Sequence, residues 1–393
     1  MAPDLAGMSE GVQNDNCSNH ALFLLSSLAV GGSERKTVRI ANALAKSGKK
    51  LTIAYLNGPH TLRDEILSDV EVLFLNRRGK FGVGALRCLM AYVSQNKVDV
   101  VCCVNLYPLI YAYLARMMSR TPRFKLLATT NTTTFVTRKE ELQMFLYAPM
   151  LRRIDMTVFG CEYQKDMWMQ KYKLKASRCT CIYNGVDVDL FQSSTPDVMS
   201  QDIRAKLGIP ETGLVVGSVG RFRKEKQYAV AIQACVELRE RTNLDVYCLL
   251  VGGGDEGPRL KDLVVKLQCD GYVHILDMAE DVRPYLNAMD IFILSSISET
   301  FSNAALEAMA MGLPVVLPGV GGCPEMVKAG ETGFIYESGD LSQFVEQLSL
   351  LGGDSKRRKI MGQAARKFVE ERFRFGAMVD AYERLFGYCK GKI

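Results

Sequence analysis

An alternation of short β-rich runs with longer helical patterns starts twice along this chain, and that double start constrains the fold more than any other feature. The first series opens with Ala21-Leu22-Phe23-Leu24-Leu25 and turns at Gly31-Gly32-Ser33. A pattern that puts Val38, Ala41, Leu44 and Ala45 on one helical face follows, and Gly48 ends it. Strands are expected again over 51–55, 71–75, 99–104, 125–128 and 156–160, each with a helical pattern behind it. After Asn184-Gly185-Val186-Asp187, a polar stretch over 192–201 shows no apolar periodicity. The alternation then restarts, with strands expected over 214–220, 245–251, 272–276, 291–294, 315–317 and 334–336. Such series build parallel sheets wrapped by helices, and 393 residues exceed what one core usually serves. The reading is therefore α/β: two Rossmann-like, doubly wound domains facing across a cleft. Its boundaries are a disordered tail over 1–20, an N-terminal domain over 21–191, a linker over 192–210, a C-terminal domain over 211–375, and a final helix over 376–393 able to cross back to the first domain. Open α/β sheets bind ligands beyond the carboxyl ends of their strands, so function is sought in the cleft.

Composition removes several classes. No run of about 18 apolar residues occurs, and the first 19 residues are polar and acidic, unlike a signal peptide or an anchor. The 12 cysteines are scattered, which fits a reducing cytoplasmic compartment, and with three histidines a histidine-rich metal site is not expected. Residues 1–190 carry 25 Lys and Arg against 16 Asp and Glu, and residues 191–393 carry 24 against 27. The basic half suits an anionic membrane surface or acceptor, or is simply solvated. No nucleic-acid recognition motif accompanies it.

The densest local signal runs from Ser295 to Pro314, where a strand ends, a loop turns and a helix begins. Ser302 or Asn303 is a good N-cap, and the amides of Phe301, Ser302 and Asn303 offer an anion site suited to a diphosphate. Glu299 in the loop and Glu307 one turn into the helix accept well from vicinal hydroxyls of sugars and ribose. The plain alternative is a helix-end charge and a solvated loop charge. A second signal is Gly220-Arg221 followed by basic residues to Lys226, where cations at a cleft mouth would neutralise a leaving diphosphate. The third is Gly31-Gly32-Ser33-Glu34, which lets a ligand approach a helix start or merely makes a tight turn. Gly252-Gly253-Gly254-Asp255-Glu256-Gly257 matches a dinucleotide pattern, yet it follows the second strand of its domain rather than the first.

At these residues the chain resembles the retaining GT-B glycosyltransferases marked by two glutamates separated by seven residues, the family 4-like group 1 enzymes. The likeness runs from about residue 24 to 385 and includes the Gly31 turn, the Asn184-Gly185 junction, Gly220-Arg221 with Lys226, Val251-Gly252-Gly253-Gly254, Glu299 with Glu307, and Gly330-Glu331-Thr332-Gly333-Phe334. The resemblance implies Arg221 and Lys226 as a diphosphate clamp, Glu307 as the ribose ligand, Glu299 as the contact to the transferred sugar, and Gly32 against the diphosphate. It implies transfer of a hexose-type sugar from a nucleotide diphosphate donor, a UDP-sugar, to a lipid-linked or saccharide acceptor in cell-surface polysaccharide, lipopolysaccharide or glycolipid synthesis. No metal, other cofactor or protein nucleophile is implied. A sugar-nucleotide epimerase of the same fold and a non-catalytic nucleotide-sugar binding protein stay open. The chain departs from the family pattern at Thr300 and Gln227, where glycine is frequent, and at Asn131 on the acceptor or sugar side, where many members carry a histidine.

Two stretches suit peripheral attachment to the inner face of an anionic membrane. One is Arg77-Arg78-Gly79-Lys80-Phe81 leading to Leu86, Leu89, Met90 and Val93; the other is Leu142, Phe145 and Leu146 followed by Arg152-Arg153.

Overall fold

The computed structural model describes residues 20–79, 82–119, 124–133, 138–192 and 198–388. The expected tail before residue 20, Lys80 and Phe81, and residues 193–197 of the polar stretch lie outside them.

The first sheet holds β1 (His20–Leu25), β2 (Lys50–Tyr55), β3 (Val70–Phe74), β4 (Val100–Val104), β5 (Lys125–Thr130), β6 (Met156–Phe159) and β7 (Cys179–Cys181), in spatial order 3-2-1-4-5-6-7. The second holds β8 (Leu214–Val219), β9 (Val246–Val251), β10 (Val273–Leu276), β11 (Ile291–Ile293), β12 (Val315–Pro318) and β13 (Gly333–Tyr336), in order 10-9-8-11-12-13. All pairings are parallel. Helices cover both faces of each sheet, which is why β1, β4 and β8 are buried along their whole length and read as continuous apolar runs. In each sheet the order reverses at its first strand, between β1 and β4 and between β8 and β11, and a crevice opens there.

Around the first sheet lie α1 (Gly32–Lys46), α2 (Val83–Gln95), α3 (Leu106–Met118), α4 (Arg138–Leu151) and α5 (Glu162–Tyr172). Leu89, Ala112, Ala148 and Trp168 from α2 to α5 share one core, and Ile40 and Leu44 from α1 belong to the core on the opposite face. The apolar stripe of α2 is thus spent on the sheet: Leu89 and Val93 are buried and Leu86 and Met90 pack against them. That corrects the reading of this stretch as a membrane-facing surface. Arg77, half-exposed, donates from Nε to the Tyr111 hydroxyl at 2.8 Å.

The remaining helices are α6 (Val198–Lys206), α7 (Tyr228–Arg241), α8 (Gly257–Lys266), α9 (Arg283–Asn287), α10 (Asn303–Ala310), α11 (Cys323–Met326), α12 (Leu341–Gly352), α13 (Ser355–Arg372) and α14 (Phe375–Tyr388). α6 falls inside the stretch expected to be a linker. Arg204 anchors it to the second sheet, donating to the Ala288 carbonyl at 2.9 Å and to Asp290 Oδ2 at 3.0 Å. α14 leaves the second domain and returns to the first, where Met378, Tyr382 and Leu385 join the core of β1 and α1. The two chain crossings run side by side, with Val186 bridged to Arg374. A Cβ on Gly185 would lie 2.7 Å from the Arg374 carbonyl oxygen, so only glycine fits where the crossings touch.

Candidate active site

The loops after β1, β4, β5, β8 and β11 converge on a cavity of about 580 Å³, joined through shared lining residues to a second lobe of about 280 Å³. Together they fall within the range of ordinary ligand sites. The first lobe gathers Gly32, Asn131, Arg221, Lys226, Glu299, Phe301, Ser302 and Asn303; Glu307 lines the second. The residues singled out from sequence therefore face one space, although they come from four separate segments.

Local chemistry explains the C-terminal wall. Ser302 is the N-cap of α10 and accepts from the Ala305 amide at 3.3 Å, leaving Asn303 to open the helix. Glu299 sits in the loop before it, and Gly321, at φ +54°, holds that loop from behind: a Cβ there would lie 1.6 Å from the Glu299 carbonyl oxygen. Lys226 Nζ donates to Glu299 Oε2 at 2.5 Å. Burial pulls the Lys226 ammonium down, but the adjacent carboxylate more than offsets this and the net direction is up. Lys226 therefore stays charged, and the two side chains fix each other. Arg221 is exposed at the lip of both lobes. Burial pushes the Glu307 carboxyl up to about 7, with Arg39 and Arg35 of α1 pulling the other way.

The N-terminal wall holds residues that sequence reasoning missed. Lys36, one turn into α1 from Gly32, donates to Asn131 Oδ1 at 2.9 Å and to Asn184 Oδ1 at 3.0 Å. Asn131 in turn donates to Asn105 Oδ1 at 3.0 Å. Asn105, between β4 and α3, takes φ +69°, a backbone region costly for a residue with a side chain and typical of sites where geometry is imposed. These partners lie 95 and 148 residues from Lys36 and carry no local pattern. The positive φ of Asn105 is likewise unreadable, although asparagine tolerates it better than most residues.

Polar bonds tie the walls together. Thr300, the departure from the family pattern, donates to the Asn131 carbonyl at 3.2 Å and accepts from the Thr133 hydroxyl at 2.9 Å. Asn184 Nδ2 donates to the Phe301 carbonyl at 2.8 Å. Gln227 takes up φ +49° as the residue before α7, a conformation that explains the frequency of glycine there. The glycine-rich segment after β9 packs on its own domain: a Cβ on Gly252 would lie 1.8 Å from the Gly220 carbonyl oxygen. Its glycines allow two loops to touch. Asp187-Val188-Asp189 has the spacing of a metal-binding pair and was not singled out from sequence. Asp187 accepts from the Asp189 and Leu190 amides at 3.2 and 3.1 Å, which makes it a turn former at the domain junction.

Residues 30–190 match the family described as Glycosyltransferase Family 4, and residues 199–368 match Glycosyl transferases group 1. Among curated relatives, N-acetyl-alpha-D-glucosaminyl L-malate synthase of Bacillus anthracis is 32% identical over 205 residues, 52% of each chain. The lipopolysaccharide core biosynthesis glycosyltransferase LpsE of Rhizobium meliloti is 32% identical over 182 residues, 46% of this chain and 52% of that one. The chain thus spans about half the length of the curated relatives it matches. Among solved structures, Anabaena HepE in complex with UDP superposes with a TM-score of 0.81 at 19% identity, covering 94% of this chain and 99% of that one. At that identity the likeness is one of fold, and the fold is GT-B.

Proposed function

We propose that this chain, which belongs to the group 1 glycosyltransferases, transfers a hexose-type sugar with retention from a nucleoside diphosphate donor, a UDP-sugar, to a saccharide or lipid-linked acceptor of the cell surface. The observation that carries the reading is the C-terminal wall: Arg221 and the Lys226–Glu299 pair line one lobe, Glu307 the adjoining one, and the start of α10 stands between them. HepE is described in complex with UDP, and LpsE as a lipopolysaccharide core enzyme, which supports the same donor and acceptor classes.

In this reading the nucleoside occupies the Glu307 lobe and its ribose hydroxyls donate to that carboxylate. The sugar occupies the larger lobe beside Glu299. The acceptor oxygen bonds to the anomeric carbon on the face from which the phosphate oxygen departs, and the acceptor proton passes to that departing oxygen. Arg221 and Lys226 stabilise the charge that develops on the diphosphate. Among the described residues no three His, Cys, Asp or Glu side chains converge to hold an ion. In this reading Arg221 and Lys226 serve in place of a metal. No described helix is long and apolar enough to cross a membrane. Peripheral attachment is supported by α4, where Phe145, Leu142 and Leu146 are 80%, 67% and 52% exposed ahead of Arg152 and Arg153.

The test is incubation with UDP-, GDP- and ADP-hexoses, with and without lipid extract, in excess chelator. Acceptor-dependent release of nucleoside diphosphate is the expected result. Interconversion of the sugar nucleotide without acceptor would make the chain an epimerase, and activity that returns only with manganese or magnesium would remove the metal-independent part.

A further inference from the structure

Among the described residues Lys36 forms no ion pair, and the nearest carboxylate that acts on it, Glu34, is not within bonding reach of its ammonium. Its two hydrogen-bond partners are the neutral amide oxygens of Asn131 and Asn184. An ammonium has three N–H donors, so one remains after these two bonds. Glu34, two residues away, accepts instead from the Ser33 hydroxyl at 2.8 Å. Burying a charge without a counter-charge is costly, and the usual resolution is a partner that supplies the opposite sign. Here that partner must come from the cavity, which Lys36 lines.

The position of Lys36 says which part of a ligand it meets. It lines both lobes, as do Gly32, Arg221 and Asn303; these shared residues mark the junction between the Glu307 lobe and the Glu299 lobe. A donor with its nucleoside in one lobe and its sugar in the other has its diphosphate at that junction. A Cβ built on Gly32 would point to Asn303 Nδ2 at 3.7 Å, so the start of α1 faces the start of α10 across the gap. Lys36 lies four residues on from Gly32, on the same side of the helix.

The geometry points to Lys36 as the N-terminal domain's contact to the donor diphosphate, closing a clamp whose other arms, Arg221 and Lys226, stand on the opposite wall. The inference rests on the proposed nucleoside diphosphate donor. It makes donor binding depend on a side chain from each domain, so the diphosphate bridges the two walls.

Burial pushes the Lys36 ammonium down to about 8, with Cys102 and Glu34 acting to raise it. The other charged groups lining the two lobes with it are Arg221, Arg223 and the Lys226–Glu299 pair across the cavity, with Arg35, Arg39 and Glu307 in the second lobe. A contact of this kind loses charge, and with it affinity, as pH rises through that value. Titration calorimetry with UDP, GDP and ADP, and with uridine, guanosine and adenosine, tests the assignment on wild type, Lys36→Met and Lys36→Arg. The expected result is that Lys36→Met weakens the preferred diphosphate by about tenfold or more while leaving its nucleoside unchanged, as loss of a charge-assisted hydrogen bond requires. Lys36→Arg retains most of the affinity, and the loss of affinity above pH 8 disappears in Lys36→Met. Diphosphate affinity equal to wild type in Lys36→Met overturns the inference, and an equal loss for diphosphate and nucleoside makes Lys36 a structural residue. A wild-type chain that binds none of the three diphosphates overturns the donor reading and this one with it.

Discussion

On the C-terminal wall of the cleft, the ends of β8 and β11 carry charges that answer one another, Lys226 with Glu299, while Glu307 faces Arg35 and Arg39 from the other domain. On the N-terminal wall, where β1, β4 and β5 meet the larger lobe, Lys36 is held by the side-chain amides of Asn131 and Asn184 and forms no described ion pair, with Asn105 behind Asn131. Strand order is the same at the two crevices, so topology sets where a ligand sits and not what holds it. The charged wall is set before any ligand arrives. The amide-lined stretch opposite leaves Lys36 waiting for a counter-charge.

The largest expected effect lies on the charged wall. Glu299→Gln should lower kcat by about a hundredfold or more, while UDP affinity is held or rises because Lys226 is freed from its partner. Steady-state kinetics beside calorimetry reads both, and a variant that loses UDP binding but keeps kcat would move Glu299 off the sugar side. Glu307→Gln comes next, with UDP affinity expected to fall by about tenfold. The carboxyl is pushed up to about 7, and its charged form is the stronger acceptor for ribose hydroxyls, so wild-type affinity should rise from pH 6 to pH 7.5. That rise should vanish in Glu307→Gln; a rise that persists in the variant belongs to another group.

The legibility of the two walls from sequence differs for a physical reason. Glu299, Ser302, Asn303 and Glu307 lie within nine consecutive residues, where loop, cap and helix start are local choices that residue type announces. Lys36, Asn105, Asn131 and Asn184 meet only because β1, β4, β5 and the junction are neighbours in the sheet. No window of sequence contains that neighbourhood. The helix α6 was missed because its hold on the second domain runs through Arg204 to Asp290, 86 residues away. In α4 the inner residues Met144, Tyr147, Ala148 and Leu151 are buried while Leu142, Phe145 and Leu146 face outward, so apolar residues occupy both sides and periodicity could not say which side was core.

That outer face extends the comparison to the surface, since the basic half of the chain carries it. Replacing Leu142, Phe145 and Leu146 together with serine should lower partition to anionic vesicles by about tenfold and leave turnover on a water-soluble acceptor unchanged. Equal recovery in the supernatant for wild type and variant, with anionic and neutral vesicles alike, would leave a soluble acceptor as the better reading. The smallest effect concerns the tie between the walls. Thr300→Val removes the hydroxyl that bonds Asn131 and Thr133 and should cost about 1 kcal/mol in denaturant unfolding, with little change in fold. An unaltered unfolding midpoint would mean that water replaces those bonds without loss.

The return of α14 to the first domain has a consequence for how the protein comes into being. Phe23 of β1 meets Tyr382 and Phe386 of α14, made long after it, at ring separations of 6.4 and 5.6 Å. Domains generally fold in the order of their synthesis, but this one lacks part of its core until the second domain and α14 have been made. Until then the face of β1 and α1 that receives Met378, Tyr382 and Leu385 stays open to water, to chaperones and to other nascent chains. A stop codon just before residue 375 would leave the second sheet and its strands intact and deprive the first domain of part of its core, so the damage from losing α14 would appear in the other domain.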